Sequence, residues 1–164
     1  MKMLKSSLAL AISTSLLFGC GDETTNNYYP VVPSSTEAKI ATYNLSFDRK
    51  TFEALVAEMQ IEPNAQAMLV SDYLDNTISA ADKETAAKVI QIRNVAAVIQ
   101  KNRPDVLMMA EFNNDGTGTD KSALEGFQKN YLSVAQSIEG AGGDANLEPI
   151  SYPYFESYST NTGL

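Results

Sequence analysis

Five consecutive apolar residues, Val106-Leu-Met-Met-Ala, stand between Asp105 and Glu111, and Pro104 closes off the segment before them. An apolar run of this length without alternation is what a strand buried on both faces requires. Such a strand needs a neighbour on either side and a layer over either face. The chain is therefore expected to fold as an α/β layered sandwich whose central strands are covered twice. The run emerges at Glu111 into Asn-Asn-Asp-Gly-Thr-Gly-Thr-Asp, a loop by composition.

The flanking sequence supplies partners for that strand. Lys39-Ile-Ala-Thr-Tyr-Asn alternates and is rich in β-forming residues, so a first strand is expected to end near Asn44. Lys50 to Gln60 carries a helical stripe of Phe52, Leu55, Val56 and Met59. Asn64 is placed to cap a second helix holding Met68, Leu69 and Tyr73. In the third helix, Ser79 and Asp82 have capping-box spacing, and Val89, Ile92, Ala96 and Ile99 oppose Lys88, Gln91, Asn94 and Lys101. Pro104 forbids its continuation. From about Ala80 to Asn102 it would be roughly 35 Å long. Helical patterning returns from Lys121 to about Ile138, followed by a turn at Gly140, Gly142 and Gly143 and a further strand from Tyr154 to Ser159. Three strands are few for a sheet covered on both faces, so residues 38–164 read as part of a larger domain.

The N-terminus points outside the cytoplasm. Lys2 and Lys5 precede a mostly apolar run from Leu8 to Phe18, then Gly19 and Cys20, the order of a secretory signal peptide over residues 1–19. The run is shorter than the roughly 20 apolar residues that span a bilayer. Leu17-Phe18-Gly19-Cys20 resembles the lipobox of bacterial lipoproteins, which implies cleavage before Cys20 and acylation of that residue. Two or three acyl chains, at about 0.8 kcal/mol per buried methylene, anchor a protein stably. By the same resemblance, Gly21 after the cysteine favours the outer membrane over the inner. Residues 20–37, polar and Pro-containing, read as a lipidated tether.

Cys20 is the chain's single cysteine, so neither an intramolecular disulfide nor a thiolate metal cluster is available. Loss of the signal takes two of twelve basic residues and none of the twenty acidic ones, which changes the formal charge from −8 to −10. Such a surface repels phosphate backbones at long range and argues against a nucleic-acid-coating protein. An enzyme with a metal-filled cleft remains open.

Two strands each end in an oxygen-bearing side chain, Asn44 and Glu111. If they are neighbours in one sheet, both emerge at the same rim, where open α/β sheets bind ligands. A carboxylate and an amide oxygen suit part of the shell of Mg²⁺, which keeps several waters and takes further ligands from phosphate. The alternative at these positions is a turn-forming asparagine and a solvated strand end.

Ile40-Ala-Thr-Tyr-Asn-Leu and Arg103-Pro-Asp-Val-Leu-Met-Met-Ala-Glu-Phe resemble the endonuclease/exonuclease/phosphatase superfamily, the metal-dependent phosphoesterases related to pancreatic deoxyribonuclease. Arg93-Asn-Val-Ala-Ala-Val-Ile-Gln is similar to the helix leading into that family's glutamate strand. Asn113-Asn114-Asp115, Tyr152-Pro-Tyr and Asn161-Thr-Gly resemble a secreted bacterial branch of it. The resemblance implies the N-terminal portion of a four-layer α/β/β/α domain, with Asn44 and Glu111 holding Mg²⁺ or Mn²⁺. It also implies in-line attack of water on a phosphoester: a nucleic acid, a nucleotide, or a small or lipid phosphoester. No protein partner is implied.

The family's catalytic base is a histidine paired with an aspartate, assisted by a second histidine and an Asp-x-Asn motif later in the domain. This chain contains no histidine, and no catalytic residue can be assigned in it. The expectation is a metal-dependent phosphoesterase of the cell envelope whose isolated 164 residues are inactive. A non-catalytic surface lipoprotein using the same fold for binding or structure is the alternative. Without histidine no serine, Ser151 included, has a triad partner. Asn113 to Asp120 lacks the ligand ladder of an EF-hand, and Gly140, Gly142 and Gly143 follow a helix instead of opening one. Met108 and Met109 read as core; Arg49 and Arg93 read as helix-face ion-pair partners before phosphate contacts.

Overall fold

The computed structural model describes residues 37–137 and 147–159. The signal peptide, Cys20 and the tether to Thr36 lie outside the described residues, as do Ile138, the turn at Gly140, Gly142 and Gly143, and Asn161-Thr-Gly. The fold is mixed α/β. Strand β1 (Ile40–Phe47) is followed by helices α1 (Phe52–Met59), α2 (Pro63–Leu74) and α3 (Lys83–Asn102), then strand β2 (Val106–Phe112) and helix α4 (Ser122–Phe127). A single π-helical turn, Gln128–Leu132, continues α4. The two strands pair in parallel, which needs a long crossover of the kind the three helices provide.

Side-chain alternation divides the sheet into an inner and an open face. Tyr43, Leu45 and Phe47 from β1 and Leu107, Met109 and Phe112 from β2 face a core that includes Leu55, Met59, Ile92, Ala96, Ile99, Phe127 and Tyr131. Phe47, Phe112 and Phe127 form a closed triangle of rings with centroids 6.1, 5.8 and 6.0 Å apart, a separation at which tilted and edge-on aromatic pairs attract. Burial among these groups pushes the Tyr131 phenol well above its ordinary pKa, and its hydroxyl donates to the Glu58 carbonyl at 2.7 Å. Helix α4 approaches α1 at Gly126, where a Cβ would stand 2.7 Å from the Met59 carbonyl oxygen.

The third helix follows its expected apolar face: Val89, Ile92, Ala96 and Ile99 are all buried. Its start moves from Ala80 to Lys83, so Asp82 takes the cap position without a side-chain capping bond. Of the expected capping box only the Asp82 amide to Ser79 Oγ bond forms, at 3.2 Å, while Asp82 Oδ2 accepts from the Ser79 hydroxyl at 2.6 Å instead of from the Ser79 backbone amide. Arg103 then turns left-handed (φ 45°) and stops the helix one residue before Pro104. Gln100, fully buried, donates to the carbonyls of Leu132 and Val134 and accepts from the Gln136 amide, so the chain after the π-turn is stitched to α3.

Several expectations are corrected. Among the described residues β2 is covered on one face: Val106 is 49 % and Met108 53 % exposed, and Ile40 on β1 is 64 % exposed. Met108 is thus outside the core, whereas Met109 packs against it. An unbroken apolar run permits two covered faces without itself supplying the second cover. β1 continues past Asn44 to Phe47. Glu62, with Pro63 at the first helical position, takes the cap site expected of Asn64, and α2 buries Gln66 and Val70 while Met68 is exposed. The helix expected to reach Ile138 ends at Leu132 after the π-turn. No strand forms over Tyr154–Ser159; this segment flanks β2, held by Tyr152 Oη donating to the Pro104 carbonyl at 2.9 Å and by Asn114 Nδ2 donating to the Tyr158 carbonyl at 2.7 Å.

Candidate metal site at the strand ends

Ile40 to Asn44 pair one for one with Val106 to Ala110, and the next matched residues are Phe47 and Phe112. Three steps along β1 therefore oppose two along β2. The excess residue is absorbed by a bulge, the usual device for re-aiming side chains at a sheet end. Ser46 (φ 54°) and Glu111 (φ 53°) both adopt left-handed backbone there.

Ser46 has visible support. Its amide donates to Asn44 Oδ1 at 3.0 Å, closing an Asx turn, and its carbonyl accepts from Gln91 Nε2 at 2.9 Å and an Arg49 guanidinium nitrogen at 3.3 Å. Asn44 is thus a turn former, and its carboxamide oxygen also accepts, at 3.5 Å, from the Ser46 hydroxyl, a rotatable group that can turn away from it. Glu111 is different. A left-handed non-glycine residue with a long side chain costs on the order of 1–3 kcal/mol and persists where the surroundings over-determine it. Strict alternation would send Glu111 inward with Leu107 and Met109. The left-handed backbone turns it outward instead, so that Ala110 and Glu111 are exposed in succession and Phe112 returns to the core.

Asn44 and Glu111 therefore lie exposed at the same end of adjacent parallel strands, with Asn44 in register with the residue before Glu111. The two strands run about 4.8 Å apart, so the backbones at Asn44 and Glu111 are neighbours at this rim. Both donors are hard oxygens, which fits part of a Mg²⁺ or Mn²⁺ shell completed by water and substrate. No group of three or more His, Cys, Asp or Glu side chains placed to share an ion occurs among the described residues; the pair offers one carboxylate and one amide oxygen.

Behind the rim, Arg49 is buried. Its Nε pairs with Glu58 Oε2 at 2.7 Å, a terminal nitrogen reaches Gln91 Oε1 at 3.0 Å, and the guanidinium lies 5.7 Å from the Phe47 ring centroid. Arg49 is spent inside the fold and cannot contact phosphate as placed. Arg93 Nε donates to Gln136 Oε1 at 3.1 Å.

No family model, curated protein or solved structure matches the chain. Its chemistry has to be argued from its own residues.

Sequence reasoning passed over the role of Asn113. Its Oδ1 accepts from the Arg49 amide at 2.6 Å and its Nδ2 donates to the Arg49 carbonyl at 3.1 Å. An amide two residues beyond a strand glutamate carries no signal that separates it from other loop amides. The loop that follows closes on Asp115, which accepts from the Thr117 hydroxyl and from the amides of Thr117, Gly118 and Asp120. The Thr117 hydroxyl leads these interactions; against some desolvation, they hold the Asp115 carboxyl down at about 2. Its oxygens are committed to shaping the loop. A cavity of about 380 Å³ lies between the first half of β2, α4 and residues 152–155, lined mainly by apolar side chains such as Leu107, Met109 and Phe127. It reaches Asp105, at the end of β2 away from Glu111.

Proposed function

We propose that this chain carries the metal-binding portion of a phosphoesterase of the endonuclease/exonuclease/phosphatase type, held in the cell envelope by lipid on Cys20, at the outer membrane in preference to the inner. The observation that carries the reading is the strained, outward-turned Glu111 beside Asn44 at the C-terminal rim of a parallel strand pair. Strained non-glycine residues concentrate where a side chain is needed in one place, and this rim is where open α/β sheets receive ligands. The four-layer α/β/β/α architecture belongs to the same reading. The apolar open face formed by Ile40, Val106 and Met108 is the kind of surface a second sheet would cover.

In this role the Glu111 carboxylate supplies the charged ligand and Asn44 Oδ1 the neutral one. Asn44 keeps its orientation through the Ser46 amide. Bound Mg²⁺ or Mn²⁺ would supply neutralisation of charge on the phosphoryl oxygens and on the departing oxygen. The chain has no histidine to take a proton from water, and general base catalysis typically contributes 10²- to 10⁴-fold. These 164 residues are therefore expected to bind the ion and the phosphoester without robust turnover. The lack of histidine also favours a second reading, a surface lipoprotein that binds without hydrolysing.

The deciding experiment is a Mn²⁺ titration of residues 37–164 followed by electron paramagnetic resonance, with Glu111→Gln alongside. One site that is lost in the variant supports the reading. Equal binding by both proteins sinks Glu111 as a ligand. Metal-dependent hydrolysis of a phosphodiester by the parent chain would overturn the expectation of inactivity.

A further inference from the structure

We propose that Asn113 and Arg49 are positioning residues that hold Glu111 in its left-handed, outward conformation; as a statement about metal binding this rests on Glu111 being a ligand. The strand ladder ends at Phe47 and Phe112, but the two chains do not separate there. The Asn113 carboxamide takes the place of the next backbone rung, with both of its hydrogen bonds on one residue, Arg49 N at 2.6 Å and Arg49 O at 3.1 Å. Two bonds to the same peptide unit fix orientation as well as distance.

Arg49 is in turn immobile. Its guanidinium is bonded to Glu58 on α1, to Gln91 on α3 and to the Ser46 carbonyl, and its side chain is almost wholly buried. Asn113 is thereby tied to both helices under the sheet. Glu111 lies between two fixed points on its own strand, Ala110 in register with Asn44 and Asn113 on Arg49. With Phe112 committed to the aromatic triangle, a left-handed turn at 111 lets the strand meet all three restraints. Released from Asn113, residue 111 is free to return to extended backbone, whose alternation aims its side chain away from the Asn44 rim.

The test compares Asn113→Ala and the near-isosteric Asn113→Asp, which keeps the acceptor for the Arg49 amide and loses the donor to its carbonyl. In isotopically labelled protein, the amide-to-Hα coupling and carbon shifts of Glu111 report its φ without any metal, and Mn²⁺ titration reports the site. Outer partners of metal ligands typically affect affinity about 10- to 100-fold. Asn113→Ala is expected to shift Glu111 to extended values and weaken Mn²⁺ binding about tenfold. The amide signals of α3 should stay in place, the Phe47 and Phe127 ring signals should shift as Phe112 leaves them, and Asn113→Asp should give a smaller change in the same direction. If Glu111 stays left-handed in either folded variant, or if Mn²⁺ binding is unchanged while φ moves, the proposal is overturned. Glu111→Gln separates the two ideas: unchanged Mn²⁺ binding there removes the ligand reading, while the φ measurement still decides whether Asn113 sets the backbone.

Discussion

Glycine at position 111 is expected to make the folded domain more stable while removing one of its two candidate metal ligands. The left-handed backbone at Glu111 (φ 53°) costs an L-residue about 1–2 kcal/mol, and glycine escapes this. Glycine also loses more freedom on folding, about 0.5–1 kcal/mol relative to alanine. The exposed Glu111 side chain forfeits little packing when removed, so the net gain is about 0.5–1 kcal/mol, or about 2–5 °C in Tm. Glu111→Ala loses the same carboxylate and keeps the strain, which makes it the reference. Urea unfolding of the parent and both variants, at matched m-values, measures the difference. Glu111→Gly no more stable than Glu111→Ala would refute the claim that this position is strained, and with it the main support for a functional glutamate here.

Gly126→Ala should destabilise by about 1–3 kcal/mol, the usual range for overpacking, because its Cβ would meet the Met59 carbonyl oxygen at 2.7 Å; thermal unfolding within half a degree of the parent would contradict that contact. Asp115, held at about 2 against an ordinary 3.8, is a depressed acid, so its contribution is complete above pH 3.8 and is lost as the pH falls through about 2. The Gly118 and Asp120 amide signals should titrate with that low midpoint, and a midpoint at 3.8 would show the loop bonds to be absent. Cys20→Ala in a Gram-negative host should abolish incorporation of labelled palmitate and release the protein from membranes; retained label would exclude lipid on that residue.

The parts of this fold legible in sequence are those written as a period. Val89, Ile92, Ala96 and Ile99 recur at helical spacing and are buried accordingly, and Lys39 to Asn44 alternates and pairs with the run after Pro104. The π-turn at Gln128–Leu132 has no such signature, since one extra residue per turn leaves the local composition helical. Nor does an apolar run state which of its faces is covered, and Val106 and Met108 lie on the open one. At the candidate site the residue types were readable but the geometry was not. Nothing in the letters of Glu111 announces a positive φ, and Asn113 reaches Arg49 across 64 residues of sequence.

Two demands meet at residue 111, and they explain why a carboxylate can stand beside so apolar a strand. The helices below require Leu107, Met109 and Phe112 on the inner face, but regular alternation from Leu107 would place residue 111 inward and 112 outward. A buried carboxylate lacking a partner would be neutral or destabilising. One left-handed residue resolves both conflicts: it returns Phe112 to the aromatic triangle and delivers Glu111 to the rim. An apolar residue at 111 could have followed ordinary alternation at no backbone cost, with a polar one after it. On the proposed reading the strained arrangement serves to bring the carboxylate to that rim, and the Glu111→Gly and Glu111→Ala pair measures what it costs.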